Sequence, residues 1–497
     1  MTGWLADSFR FWWALFYWNT RKTWFRLQGA HRDDCPCQVS SDSGHARDSR
    51  CEASVNWRQP ARFRRVCPLL TETPQGWRCG VNAESARPFW GRAAGYAAAL
   101  AVVLYLGGTL AVFAFLKLAH YDASYLAVAW PPRWRELRRS QETLYAGRAQ
   151  RALQTGNYQE AILALDMVTR LNPRNYQAGL ALAGLCQSAA QPFLADRVYE
   201  RLMRDVPEQR RPTAQIWFRA LLARGAYGKI QELALVMLTE DPAERAAWLN
   251  ALLFSSRHNH DPVFLGKVAA EQPHLPDWCT ELIGLERLLL QNQLEAALPR
   301  LTRVHRSPAT AYIPYYQVDR LLRHGRADQA NHLLQAYQGP LPPDEAAFLR
   351  LRIYRAKEWA SLADSEFDGL LNYQLAPRLI AQFCAYLISN PDRALFARYY
   401  ERLAAAGFPV NADTLHLHQA TYLAAVLAGE AGSAEKIAAR INQFTASEAR
   451  ALHGLGTLLK NRADNPRLGR ILPLVPLPTE AVYAILDRQP AAAVPGK

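Results

Sequence analysis

The 497-residue sequence lacks the short signatures of the common catalytic machineries. There is no Gly-rich loop ending in Gly-Lys-Ser/Thr to cradle phosphates, no Gly-x-Ser-x-Gly nucleophile turn and no His-Glu-x-x-His zinc pair. There is no Cys-x-x-Cys-His haem attachment and no tight four-cysteine cluster-binding run. Two polar clusters remain, and neither arranges a nucleophile beside a base. His258, His260 and Asp261 fall in a turn between helices, and Asp344 and Glu345 fall at a helix start, where carboxylates suit the exposed backbone donors. The sequence therefore reads as a non-enzyme with no small-molecule substrate. β-branched residues are also scarce beside Leu and Ala, which favours helices over strands.

Charge is missing from one long stretch. Residues 93–116 carry no charged side chain and are apolar on every face. At roughly 1.5 Å per residue this stretch reaches roughly 36 Å, enough to cross a hydrocarbon core of about 30 Å. The alternative, a core helix of a soluble domain, does not explain an apolar run this long and uniform. Gly107 and Ala111 are spaced to allow close pairing with another helix. Arg78, Arg87 and Arg92 before the span nearly balance Lys117, Arg133 and Arg135 after it. A further cluster of Arg58, Arg62, Arg64 and Arg65 tips the positive-inside tendency toward a cytoplasmic N-terminus. The expectation is a single-pass protein of a bacterial inner membrane with its C-terminal part in the periplasm.

Residues 1–30 are aromatic-rich, with Phe9 to Trp18 too short to span and lacking a small-residue cleavage site. They suit either the membrane interface or the protein's own surface. Residues 31–92 hold five of the eight cysteines and little hydrophobic periodicity. So small a unit needs cross-links in place of a core. Cys35, Cys37, Cys67 and Cys79, with Cys51, His31 and His45 as alternates, are the candidate ligands of one structural zinc. The rivals are disulfides, if the segment is external, and unligated or disordered thiols. Cys186, Cys279 and Cys384 sit alone in helical patterns, as small hydrophobes do.

Beyond a linker, 117–140, the chain is periodic. Between Glu142 and Asn175, Tyr145, Ala149, Gly156, Tyr158, Ala161, Leu165, Leu171 and Pro173 recur at the positions of a 34-residue helical hairpin. Pro207, Pro242, Pro276 and Pro308 continue the series, and His324-Gly325-Arg326 restores the turn. Thr155-Gly-Asn-Tyr-Gln-Glu-Ala-Ile162 resembles the turn and second-helix start of tetratricopeptide-repeat (TPR) proteins. The resemblance covers 141–340 and, more loosely, divergent helical pairs and a cap over 341–460. It implies an all-α, TPR-like superhelical solenoid preceded by one transmembrane helix and a small Cys-rich segment. In the divergent part, 346–371 reads as one helix. Residues 461–497 read as a proline-rich tail with a short helix over Thr479 to Asp487. Trp130 and Trp134 in the linker suit either the headgroup layer or the exposed face of the first repeat.

A superhelix of this kind implies a concave face that holds partner proteins. Tyr145, Arg148, Gln187, Arg219 and Asn250, on first helices, are the candidate partner-binding residues. The leading expectation is a membrane-anchored scaffold or adaptor in a multiprotein complex, with the lipid bilayer and other membrane proteins as partners. Two alternatives stay open. One is a metal- or redox-containing subunit of a membrane enzyme complex. The other is a basic repeat domain binding nucleic acid or polysaccharide, suggested by a net charge of +14. Arg spread along the whole chain makes an ordinary basic surface the simpler reading, so nucleic acid is not the expected partner.

Overall fold

The structure is a computed structural model in which the described residues are Trp13, Phe16, Thr20 and Trp24, then 70–74, 76–79, 89–272, 274–305, 310–337, 341–445, 450–461 and 465–488. The chain divides into two compact units, Met1–Ser140 and Gln141–Lys497.

In the first unit, β1 (Leu70–Thr73) and β2 (Gly76–Cys79) form an antiparallel ribbon with Leu70 opposite Cys79. Helix α1 (Phe89–Leu118) contains a 22-residue stretch, Ala97–Leu118, long and apolar enough to cross a membrane. Its Val103, Leu104 and Phe115 side chains are about two-thirds exposed, as expected where lipid rather than protein is the solvent. A short helix, α2 (Tyr125–Ala129), folds back along α1. The phenols of Tyr105 and Tyr125 fix this register. Tyr105 Oη donates to the Ala129 carbonyl at 2.5 Å, and the hydroxyls of Thr109 and Tyr125 lie 3.1 Å apart.

The second unit is a succession of helical pairs. They are α3 (Trp134–Gln154) with α4 (Tyr158–Leu171), α5 (Tyr176–Ser188) with α6 (Pro192–Asp205), and α7 (Arg210–Arg224) with α8 (Tyr227–Glu240). Then come α9 (Arg245–Asn259) with α10 (Pro262–Glu271), α11 (Asp277–Leu290) with α12 (Leu294–Leu301), and α13 (Tyr312–Arg323) with α14 (Ala327–Ala336). The last three are α15 (Pro343–Ala356) with α16 (Ala360–Leu371), α17 (Pro377–Ser389) with α18 (Arg393–Ala405), and α19 (Leu415–Ala428) with α20 (Ala431–Thr445). Most helices pack on their successor, and first helices also pack on first helices, as α9 on α11, α13 on α15 and α17 on α19.

The turn inside each of the first seven pairs explains the period. Left-handed backbone occurs at Gly156, Ala190, Gly225, His260, Asn292, Gly325 and Glu358, at intervals of 34, 35, 35, 32, 33 and 33 residues. Each of these residues ends a first helix in the conformation that lets the following backbone N–H groups donate to its last carbonyls, as Gly156 does to Leu153 and Asn157 to Ala152. Glycine fills only three of these places, and that is why the repeat is hard to see in the sequence. In the fourth pair the turn residue is His260, one beyond Asn259. Residues 346–371, expected as one helix, are two helices broken at Glu358, where neither Gly nor Pro marks the turn.

Local chemistry sets the other helix starts. Asn157, Asn175, Asp261 and Asp392 cap α4, α5, α10 and α18 by accepting backbone N–H groups. Asp344 and Glu345 lie in the first turn of α15 without capping it. The core is Leu, Ala and aromatic, with Tyr399, Phe367, Phe383 and Phe396 its largest fully buried side chains.

After these pairs come α21 (Arg450–Lys460), α22 (Asn465–Ile471) and α23 (Thr479–Asp487). The short helix expected over Thr479 to Asp487 is α23, but the segment around it is no free tail. Ala481, Ile485 and Leu486 are buried in the second unit.

Candidate functional site

The inner face of the second unit is the candidate site, and the chain's own C-terminal segment lies on it. Residues 465–487 touch α5, α7 and α17. All three are first helices of their pairs, so the segment crosses one common face. Leu474 and Pro473 meet Gly184, Gln187 and Ser188 of α5 around a small cavity of about 280 Å³. Gly469 runs so close to the Arg224 carbonyl that a Cβ there would lie 3.3 Å from its oxygen. The Tyr483 ring packs edge-on against Phe254 of α9, with centroids 4.4 Å apart, and also against Phe218 of α7. At the end of α23, Asp487 pairs with Arg323 at 2.5 Å, and Arg488 donates to the Ile388 carbonyl of α17.

Beneath α23 lies a buried ionic layer. Glu286, 1% exposed, accepts from Tyr316 Oη at 2.8 Å and from Arg257 at 3.1 Å. Asp319 accepts from Arg320, Arg323 and Arg352. Burial pushes the Asp319 carboxyl up, but these guanidinium groups outweigh it and hold it well below the usual carboxylate range. Burial raises the Tyr312 and Tyr316 phenols well above their ordinary value. His258 stacks on Tyr227 and Phe254, and its Nε2 is 3.9 Å from an Asp487 carboxylate oxygen. Burial lowers its pKa and so favours the neutral imidazole. This layer fixes charges in place and suits orientation and binding better than proton transfer.

The partner-binding candidates separate into two groups. Gln187 lines the small cavity beside Leu474, and Asn250 accepts from Tyr312 Oη at 3.1 Å within the same inner region. Arg219 lies on α7, near enough to His416 of α19 to depress its pKa, although burial is the larger cause. The segment's approach to α5 and α7 was not legible in the sequence. Tyr145 and Arg148 of α3 stand apart, the Arg148 guanidinium stacked 5.5 Å from the Tyr145 ring centroid. Sequence reasoning missed Glu286, Asp319, Arg320 and Arg352 altogether. Their one signal is a charged residue at an otherwise apolar helical position.

The cysteines require a correction. Among the described residues no group of three or more His, Cys, Asp or Glu side chains is placed to hold a metal, which overturns the expected structural zinc. Cys79 ends β2, while Cys35, Cys37, Cys51, Cys67, His31 and His45 lie outside the described residues. Cys186, Cys279 and Cys384 are buried and free. Burial pushes the Cys279 thiol up to about 12 and the Cys384 thiol up to about 11, so they pack as hydrophobes.

His258, His260 and Asp261 do not converge. His258 points to the aromatic layer, His260 forms the turn, and Asp261 caps α10. The protein is a membrane-associated helical chain with one candidate span among the described residues and extensive packing between helices. Comparison with known proteins finds no matching family model, no matching curated protein and no matching solved structure.

Proposed function

We propose that this chain is a membrane-anchored, TPR-like scaffold subunit that holds partner proteins in a multiprotein membrane complex and performs no catalytic step itself. The observation that carries the proposal is the pairing of α1, apolar and exposed, with nine successive helical pairs whose first helices share an apolar, ion-lined face. α23 supports a helix as the ligand of that face, since it lays the Tyr483 ring on Phe254 and pairs the Asp487 side-chain carboxylate at its end with Arg323. The turns recurring at 32 to 35 residues support the TPR-like reading. The arginine cluster before α1 supports a cytoplasmic N-terminus and periplasmic helical pairs in a bacterial inner membrane.

The nucleic-acid and polysaccharide reading loses support from the charge pattern. Many basic side chains are engaged by carboxylates about one pair before or after them in the chain, as in Arg210–Glu240, Lys229–Glu200, Arg257–Glu286 and Arg398–Asp368. The scaffold proposal is tested by the mass of the full chain purified in mild detergent, measured by light scattering. A complex heavier than the 56.0 kDa chain by a second protein in fixed ratio is expected. A monomer carrying detergent alone overturns it.

A further inference from the structure

We infer that residues 125–140 form a hairpin inserted into the lipid bilayer beside α1, with Trp130 and Trp134 in the apolar layer and Arg135, Arg138 and Arg139 at anionic headgroups. The inference rests on the proposed span but names a lipid contact that the span does not require.

The register along α1 carries it. Tyr125 meets Thr109 and, edge-on, Phe113, while Ala129 meets Tyr105. The chain leaving Leu118 therefore turns back and descends beside α1 for about two helical turns. Pro131 and Pro132 open the short 3₁₀ turn that reverses it. α3 then climbs again, since Ser140 Oγ donates to the Asp122 carbonyl at 2.7 Å. The tip, from Trp130 to Trp134, lies near the level of Tyr105, roughly 20 Å along α1 from Leu118 at 1.5 Å per residue.

The length of α1 places that level inside the membrane. Its 30 residues extend roughly 45 Å, longer than a hydrocarbon core of about 30 Å. Arg92, in the first turn of α1, limits how far the slab can shift toward the N-terminus. With one boundary near Ala93, the other falls about 20 residues on, near Phe113. Moving the slab toward Leu118 carries the tip deeper. In each placement the level of Tyr105 is within the apolar layer.

The side chains at the tip fit lipid. Trp130 and Trp134 are 60% and 54% exposed, and Leu126 is 57% exposed, continuous with the exposed apolar surface of α1. The backbone that lipid cannot solvate is satisfied internally. Trp130 N–H donates to the Leu126 carbonyl, Arg133 N–H to the Trp130 carbonyl, and the Trp134 indole to the Val128 carbonyl. Arg133 lies 3.8 Å from Glu136, and its long stem lets the charge reach the interface. Arg135, Arg138 and Arg139 follow on the rising helix, where anionic headgroups attract them.

The test is site-specific photocrosslinking of the full chain in phosphatidylcholine vesicles with and without phosphatidylglycerol. A diazirine amino acid replaces Trp130 in one sample and Phe115 in another, both exposed positions. Lipid adducts at both positions are expected. At position 130 the yield should rise at least twofold with phosphatidylglycerol and fall back when Arg135, Arg138 and Arg139 are changed to Gln. Lipid adducts at 115 with only protein or water products at 130 overturn the hairpin and leave the span intact. Absence of lipid adducts at both positions overturns the span and, with it, the hairpin. Equal yields at 130 in the two vesicle types overturn the headgroup assignment.

Discussion

Asp196 shows how a single residue ties neighbouring pairs together. Its carboxylate sits on α6, 5% exposed, and accepts from the Trp217 indole at 2.8 Å and from Arg224 at 2.7 Å, both on α7. Asp196→Ala leaves a buried indole N–H and a nearly buried guanidinium without an acceptor. It should cost about 3 kcal/mol or more, because an uncompensated buried charge remains. A chemical-denaturation midpoint that moves by less than the equivalent of about 1 kcal/mol would show that Asp196 is not part of the packed interface. The exposed pairs, such as Lys229–Glu200, contribute about 0 to 1 kcal/mol each and act through their recurrence.

His258 gives a pH signature at the same scale. Its folded pKa is lowered by burial, so below the unfolded value of about 6.5 the unfolded chain binds the extra proton more readily. Stability contributed by neutral His258 is therefore complete above about pH 6.5 and declines as the pH falls through the folded pKa. Asp319, held low by three arginines, adds a loss only in the acid range below the usual carboxylate pKa of about 4. Melting temperature measured from pH 8 to pH 5 should fall for the native chain and fall less steeply for His258→Phe. Parallel curves would remove His258 as the cause.

At the scale of elements, the sequence disclosed those set by local chemistry. Gly156, Gly225 and Gly325 mark their turns, Asp392 caps α18, and the uncharged run of α1 is plain. The break at Glu358 was hidden, because its turn is imposed by packing of α15 on α16 and not by a residue that prefers left-handed backbone. α23 was legible as a helix, but its place was not. Proline at 476 and 478 signals a broken chain equally well whether that chain is docked or free. Contacts between residues more than 160 positions apart, as Arg323 with Asp487, leave no periodic trace.

Burial makes α23 part of the core. Ile485 is 0% exposed and Leu474 50% exposed in the same segment. Ile485→Ala should destabilise by about 2–5 kcal/mol, and Leu474→Ala by no more than about 0.5 kcal/mol. Equal, negligible shifts in thermal unfolding would mean that the segment is dispensable to the fold. Under the scaffold proposal, because α23 covers a share of that face, a partner would use what it leaves open, including the Tyr145 and Arg148 stack on α3, or bring a helix able to replace it.

At the scale of the whole molecule, the anchor and the helical pairs have different solvents and different tasks. The apolar surface of α1 is exposed and suits lipid, whereas the second unit closes its own core and pairs the charges it buries, such as Glu286 with Arg257 and Asp319 with Arg320. Gln187 lines the cavity beside Leu474 and Asn250 accepts from Tyr312, whereas the ionic layer of Glu286, Asp319, Arg320 and Arg352 depends on three first helices meeting, which no single window of sequence contains. The expected zinc relied on cysteine count and on the small size of its segment, not on converging geometry.

The most direct test of the scaffold reading is crosslinking mass spectrometry on the full chain with whatever partner it retains in mild detergent. The account predicts links from a stoichiometric partner to the helical pairs of residues 141–445, with a share on first helices such as α3. Links confined to residues 1–118, or a chain that crosslinks to no other protein, would contradict it.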